Sequence, residues 1–231
     1  MKTILKSLVF PFSVVLLMAA EPAWKTKQMD QWSEADAKLV LTNSPWVMKV
    51  TPVLLPQRTE DARRNGGQMG GGDGIGFEAI KPSTLTGVGD SGKRGRRPGR
   101  IATLEIRWES AHAVRSAEVK AHEEDPPDVA PGNYAVAIYD VPGVDVNEKT
   151  LSYDLKRVAL LKCDGKKDRR PSRVDVLPQE GGLTTIVYIF PRSEEFTMRD
   201  KRITFVAQIG RLSMAQYFYT QEMSIQGKLE L

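Results

Sequence analysis

The sequence predicts a mainly β protein in which two antiparallel sheets form a sandwich, with one N-terminal helix and one inserted helix. Two observations predict the strands. Apolar residues recur at every second position through the last third of the chain, and turn residues separate short apolar runs. Alternation places successive side chains on opposite faces, as a strand half buried against a core requires. A third observation limits the helices, since only two segments have helical spacing.

Residues 1–20 have the layout of a secretory signal peptide. Lys2 and Lys6 precede an apolar run from Leu8 to Met18, and small residues ending at Ala20 come before a polar stretch. The run is shorter than the roughly 20 residues that span a bilayer. We therefore expect an exported protein, periplasmic or secreted, that is cleaved near Ala20. An uncleaved N-terminal anchor or a buried strand is the alternative.

Charge and cysteine content narrow the class of protein further. The chain of 231 residues carries 33 Lys and Arg against 29 Asp and Glu, a formal charge of +4. Loss of Lys2 and Lys6 with the signal leaves a nearly balanced mature chain, so the basic pI does not indicate a polyanionic partner. Cys163 is the only cysteine, which excludes an intramolecular disulfide. Its place in an apolar segment predicts burial rather than reactivity.

Residues 21–56 are predicted to contribute a helix and a first strand to the main domain. Ser33, followed three residues later by Asp36, has the spacing of a capped helix start. Pro45 ends the helix because the residue before a proline is pushed out of the helical region. A strand is then expected from Val47 to Leu55. The apolar face of the helix consists of Ala37, Val40 and Leu41.

Residues 57–100 are rich in Gly and Arg and hold few large apolar side chains, which predicts a long flexible loop. The segment from Gly87 to Arg94 approaches the spacing of a phosphate-binding loop, but Arg94 replaces the hydroxyl that would hold magnesium. No aromatic residue interleaves the basic cluster, so no nucleic-acid partner is expected. Weak contact with an anionic surface is the alternative to a solvated loop. The cluster consists of Lys93, Arg94, Arg96, Arg97 and Arg100.

Residues 101–231 are predicted to form the β core. Ser110–Glu124 interrupts it as a helix with a modest apolar stripe, and Asp164-Gly165 predicts a hairpin turn whose solvated tip is 166–170. Eight to ten short strands together with two helices favour an immunoglobulin-like β-sandwich. Strands are expected at 101–108, 134–141, 151–163 (one or two), 174–176, 184–190, 203–209, 212–219 and 223–231.

Several segments form a recognisable pattern: Trp32-Ser33, Asp36-Ala37, Leu41, Ser44-Pro45-Trp46, Phe190-Pro191-Arg192 and Gly227-Lys228-Leu229-Glu230-Leu231. In these segments, which cover the N-terminal helix and most of the C-terminal half, the chain resembles a family of uncharacterised exported bacterial proteins. The resemblance implies homology and an exported location. It implies no activity, because the family has none assigned. Some related exported proteins carry a Gly-Trp-x-Thr-Asp motif, which this chain lacks.

The sequence contains no convincing set of catalytic residues or metal ligands. His112 and His122 are ten residues apart, or about 15 Å along a helix, so they cannot share an ion. No Gly-x-Ser-x-Gly elbow is present, and the acidic pair Glu194-Glu195 falls in a predicted loop. We therefore predict no catalytic residue, no metal and no cofactor.

Tyr217 and Tyr219 point away from the apolar face of their predicted strand, so they either fill a second core face or form a surface for a partner. The leading hypothesis is a non-enzymatic binding or structural module of the cell envelope, whose partner is an envelope protein or a glycan. The alternative is a hydrolase that acts on envelope polymers. The sequence predicts neither the ligand nor the oligomeric state.

Overall fold

The computed structural model describes residues 21–55, 102–146 and 150–231. The predicted signal peptide at 1–20 and the predicted loop at 57–100 lie outside the described residues. The strands are β1 Val47–Val50, β2 Val53–Leu54, β3 Leu104–Arg107, β4 Asn133–Pro142, β5 Leu160–Cys163, β6 Arg173–Pro178, β7 Leu183–Pro191, β8 Arg202–Ile209, β9 Leu212–Tyr219, β10 Ser224–Ile225 and β11 Lys228–Leu229.

The helices are α1 Ala23–Thr26, α2 Glu34–Thr42, α3 His112–Ala121 and α4 Leu151–Val158. Single turns of 3-10 helix lie at Met29–Gln31, Glu180–Gly182 and Met198–Asp200. None of the helices in the described ranges is long and apolar enough to cross a membrane.

The strands form two antiparallel sheets and a small separate hairpin. Sheet I has the order β1-β3-β4-β7-β6, sheet II has the order β2-β9-β8-β5, and β10 pairs with β11. Every strand pairing in both sheets is antiparallel. The predicted mainly β, antiparallel fold with few helices is therefore confirmed.

The two sheets pack face to face through large aromatic side chains. The ring centroid of Phe205 in sheet II lies 5.4 Å from that of Tyr188 and 6.3 Å from that of Phe190, both in sheet I. Trp108, which follows β3, lies 5.1 Å from Phe218 of β9 in an edge-to-face contact. The alternation predicted for β8 is confirmed, because Ile203, Phe205, Ala207 and Ile209 are all buried.

The strand predicted from Val47 to Leu55 is divided between the two sheets. β1 pairs with β3 of sheet I, whereas β2 pairs with β9 of sheet II. The break falls at Pro52, which has no backbone N–H to donate to a ladder. The chain crosses from one sheet to the other at this proline, so the N-terminal segment belongs to both layers of the core.

The predicted cap of the N-terminal helix is confirmed at the start of α2. The Ser33 hydroxyl accepts a hydrogen bond from the Asp36 N–H at 3.1 Å, and the Asp36 carboxylate accepts one from the Ser33 N–H at 3.0 Å. This reciprocal pair satisfies two backbone donors that a helix start leaves open. Ala37, Val40 and Leu41 are buried, as the helical spacing predicts.

The prediction of a strand across residues 151–158 is wrong, because this segment forms α4. Leu155 is buried on the core side, and the partly buried Leu151 and Val158 lie four residues before it and three after it. Those intervals place all three side chains on one helical face. A short segment with few apolar residues is open to both interpretations, and packing decided in favour of the helix. The strand expected next is confirmed as β5.

The turn at Asp164-Gly165 is confirmed, since Gly165 has φ +77° and the Lys166 N–H donates to the Cys163 carbonyl at 3.1 Å. The prediction that 166–170 is a solvated tip is wrong for Arg169, which is buried. Its guanidinium lies 4.0 Å from the ring centroid of Phe196 in the β7–β8 connection, which folds across the tip.

Candidate functional site

Helix α3 and the segment after it cover part of the outer face of sheet I. Val114 and Ala117 of this helix are fully buried in the main core, whereas Glu118 reaches the outer face, with its Oε1 3.9 Å from Arg107 Nη1. Further along, Val129 packs against Ala135 and Ala137, which project from β4 on the face opposite the sandwich core. The covered strip between sheet and helix contains an unusual concentration of charge.

We call Arg107, Glu109, Glu118, Glu123 and Tyr139 the charged cluster. Arg107 is at its centre, because its Nη1 donates to both carboxylate oxygens of Glu123 at 2.9 and 2.8 Å. The Arg107 guanidinium also lies 4.4 Å from the ring centroid of Tyr139. The Tyr139 hydroxyl in turn donates to Glu109 Oε1 at 2.7 Å. Contacts with a carboxylate on one side and an aromatic ring on another orient a guanidinium closely.

Glu109 and Glu118 form a buried carboxyl pair within the charged cluster. Each carboxyl influences the pKa of the other, and both side chains are almost fully removed from solvent. Burial, with the neighbouring Glu109 carboxyl, raises the pKa of Glu118 to about 9. Burial also raises the pKa of Glu109 above its ordinary value. Two carboxyls this close in a low dielectric cannot both ionise, so the pair keeps a proton at neutral pH.

A surface cleft of about 450 Å³ lies beside the C-terminal half of α3. Glu118 lines this cleft but its side chain is only 1% exposed, and Glu109 is not among the lining residues. Arg115 Nη1 lies 2.8 Å from Glu118 Oε2 and stands between that carboxyl and solvent. The carboxyl pair is therefore sealed beneath the helix. The other lining residues are Val119, His122, Glu123 and Pro126.

A second cleft, of about 400 Å³, lies beside the N-terminal end of α3, next to β11. Here the Trp46 indole N–H donates to the Glu230 carbonyl at 2.7 Å, and Arg192 donates to the Leu231 carbonyl. Lys228 Nζ lies 3.1 Å from Glu230 Oε1, and His112 Nδ1 lies 3.7 Å from Glu230 Oε2. Three of the segments that carry the family resemblance thus meet at one place in the fold.

The predicted partner surface lies on the outer face of sheet II. Tyr219 is exposed, whereas Tyr217 is half-buried and has the Arg202 guanidinium 4.6 Å from its ring centroid. Of the two readings that the sequence left open, surface exposure fits Tyr219 and partial burial fits Tyr217. The basic cluster Lys93, Arg94, Arg96, Arg97 and Arg100 lies outside the described residues, as does the segment from Gly87 to Arg94.

The remaining residues considered for chemistry are separate from one another. His112 and His122 sit at opposite ends of α3, and no group of His, Cys, Asp and Glu in the described ranges could hold a metal ion. Burial, with the neighbouring Asp200, raises the pKa of Cys163 to about 11, so this residue is a thiol at neutral pH. Glu194 and Glu195 are exposed in a loop, as predicted.

The sequence interpretation did not single out the charged cluster. Arg107 alternates with the apolar residues of its strand and Glu118 lies in a helix rich in charged residues, so neither position stands out in the sequence. One signal was present, because Glu118 follows Val114 by four residues and therefore lies on the apolar stripe of the helix. A carboxyl on a buried stripe indicates a partner inside the protein.

Comparison of the chain with protein-family models, with curated proteins and with solved structures found no match.

Proposed function

We propose that the protein is an exported, non-enzymatic module of the cell envelope that binds an envelope component, and that its location is periplasmic or secreted. The observation that carries the proposal is the sealed carboxyl pair. Glu109 and Glu118 have strongly shifted pKa values, as catalytic acids do, but they face each other beneath α3 rather than a cleft. In this position their role is to attach a helix to a sheet, which leaves the exposed surface for binding.

An immunoglobulin-like connectivity is part of this proposal, and the strand order supports it. In an immunoglobulin constant-type sandwich, strands A, B, E and D form one sheet in that order and C, F and G form the other. Taking β3 to β9 as A to G gives β3-β4-β7-β6 in sheet I and β5-β8-β9 in sheet II. β1 and β2 then extend the two sheets at their edges. Modules of this architecture commonly bind through surface loops and sheet faces.

A hydrolase of envelope polymers is the second candidate, and the cleft beside Glu118 and Glu123 is where it would act. Glycoside hydrolysis needs two carboxyls about 5–5.5 Å apart for retention or about 6.5–9.5 Å apart for inversion, with the sugar between them. Glu109 and Glu118 are instead buried together beneath α3, and Glu109 does not line the cleft. The hydrolase therefore needs an opening of α3 that separates Glu109 from Glu118.

The two functions are distinguished by incubating the purified mature chain with isolated envelope polymer and measuring both co-sedimentation and release of soluble fragments. We expect saturable co-sedimentation without fragment release, and unchanged binding for Glu118→Gln, which keeps the shape of the buried pair. Fragment release by the wild type that Glu118→Gln or Glu123→Gln abolishes would establish the hydrolase and refute the binding module. Fractionation of the native cell tests the exported location, which a cytoplasmic chain with residues 1–20 intact would contradict.

A further inference from the structure

A third cleft, of about 290 Å³, lies on the exposed face of α4 and has an unusual lining. It is formed by Tyr153, Lys156, Arg157 and Arg170, three cations and one aromatic ring. Tyr153 is 68% exposed, more than any other aromatic side chain in the described ranges. No acidic residue lines this cleft, whereas each of the two clefts beside α3 contains at least one carboxylate.

The local structure explains why these four side chains converge. Leu155 is buried and fixes the orientation of α4, so the opposite face of the helix is turned to solvent. Tyr153 and Arg157 are four residues apart and therefore lie side by side on that face. Arg170 reaches the same place from the segment before β6, because its Nη1 donates to the backbone carbonyl of Arg157. Two guanidinium groups from separate parts of the chain are thus held at one cleft.

These cations have no ion-pair partner among the residues that the structure describes. Elsewhere in the described ranges Lys and Arg side chains form many pairs with carboxylates, but Lys156, Arg157 and Arg170 form none. The C-terminal dipole of α4 favours all three cations, and Arg170 donates to the Arg157 carbonyl there, but neither interaction supplies a full counter-charge. Like charges gathered without a counter-charge repel one another, and a bound anion would relieve that repulsion.

The residues that line the cleft also indicate which chemical group is attached to the bound anion. Most of the cleft surface is apolar, because the aliphatic stems of the cations and the ring of Tyr153 form its walls. A flat apolar wall beside guanidinium groups suits a ring that carries an acidic substituent, since the ring can lie on the tyrosine while the acid meets a guanidinium in bidentate geometry. The cleft volume of about 290 Å³ is just below the roughly 300–1,000 Å³ typical of ligand sites, which fits a single unit of a longer chain.

We propose that the cleft formed by Tyr153, Lys156, Arg157 and Arg170 binds an anionic sugar unit of an envelope polysaccharide. The inference rests on the proposed envelope-binding function and gives it a ligand class and a site. Tyr153 supplies the surface on which the sugar ring stacks. Arg157 and Arg170 hold the acidic group, and Lys156 adds charge at the rim.

The test is titration calorimetry of the mature chain with trigalacturonate, a defined acidic oligosaccharide, and with maltotriose, its neutral counterpart of equal length. We expect trigalacturonate to bind and maltotriose not to bind. Affinity should weaken when salt screens the exposed charges. Tyr153→Ala, Lys156→Ala and Arg170→Ala should each weaken binding, by about tenfold where a charged hydrogen bond is lost.

Lys49→Ala and Arg199→Ala are matched controls, because they remove the same charge types from exposed positions remote from α4 in the sequence. They should leave the affinity unchanged. If Arg170→Ala disturbs the fold, Lys156→Ala still tests the site, because Lys156 is exposed and makes no ion pair with any described residue. Equal losses in the control and cleft variants would overturn the site.

Two further probes test the ligand class. Inorganic phosphate that displaces trigalacturonate at equal concentration would show an anion site with no sugar recognition, and would overturn the proposal. Binding to phosphatidylglycerol vesicles but not to trigalacturonate would also overturn it in favour of a lipid surface. If trigalacturonate fails but the chain still co-sediments with envelope polymer, this inference is wrong and the proposed function stands. If both fail, the proposed function is wrong as well.

Discussion

Glu109 and Glu118 form a pH-sensitive pair, because two carboxyls are buried close together. Desolvation disfavours the charged form of each acid, and the Arg107 guanidinium beside Glu109 is shared with Glu105 and Glu123. The favoured state of the pair is therefore one in which at least one of the two carboxyls is protonated. Stability should therefore depend on keeping that proton.

The sign of the pH dependence follows from the raised pKa values. In the unfolded chain Glu118 ionises near its ordinary value of 4.5, whereas in the folded protein its pKa is raised to about 9. The stabilisation from the protonated pair is thus fully present below about pH 4.5 and is lost as pH rises towards 9. We expect the free energy of unfolding in urea to fall across this range by on the order of 2–4 kcal/mol.

Glu118→Gln replaces the shared proton with a permanent amide donor of the same shape. It should flatten the dependence of unfolding free energy on pH between 5 and 9 and make the protein more stable than the wild type at pH 9. Glu34→Gln, which alters an exposed acid on α2, is the control and should leave the slope unchanged. A wild-type slope retained in Glu118→Gln would show that the carboxyl pair does not titrate as described.

Arg107 is the second residue on which the charged cluster depends. Its guanidinium contacts Glu105, Glu109 and Glu123 and is almost fully buried. Arg107→Met keeps most of the volume but leaves buried acids unpaired, a loss that typically costs about 3–5 kcal/mol. We expect a large fall in melting temperature, whereas Arg211→Met at an exposed position should change it little. Equal melting temperatures for the two variants would mean that the cluster is not structural.

At the scale of elements, local signals determined what the sequence could predict. The start of α2 was predictable because its capping residues, Ser33 and Asp36, are only three positions apart in the chain. β8 was predictable because the alternation of apolar and polar residues can be recognised without knowing which strands lie beside it. α4 was not, because its two leucines and one valine satisfy a helix only when a core lies beneath one face. The burial of Arg107 was not predictable either, since it depends on α3 and Glu123, which are separate from β3 in the sequence.

Two substitutions in α4 distinguish the helix from the strand that the sequence predicted. Tyr153 and Leu155 would share a face in a strand, but lie on opposite faces of a helix. Leu155→Ala should therefore destabilise the protein by about 2–5 kcal/mol, the usual cost of truncating a buried leucine, while Tyr153→Ala should have little effect on stability. Chemical denaturation of both variants checks this, and similar costs at the two positions would favour the strand.

At the scale of the whole molecule, the segment just before β1 contacts the C-terminal residues of the chain. The Trp46 indole contacts the Glu230 backbone across 184 positions of sequence, and its ring lies 6.5 Å from that of Trp24 in an edge-to-face contact. Arg192, at the end of β7, holds the Leu231 carbonyl. In the sequence, Trp46, Arg192, Glu230 and Leu231 are identified only as parts of a pattern that resembles a family. Their meeting depends on the packing of both sheets, which no local signal encodes.

Trp46→Phe tests this closure, because it keeps an aromatic ring in the buried site and removes the indole N–H. The Glu230 carbonyl would lose its donor in a buried environment, which typically costs about 1–3 kcal/mol. We expect lower stability in urea and faster hydrogen exchange in β10 and β11, with little change in β4 and β7 at the centre of sheet I. Uniform acceleration across all strands would contradict a local fastening, and unchanged exchange in β10 and β11 would show that the indole contact does not hold the C-terminal hairpin.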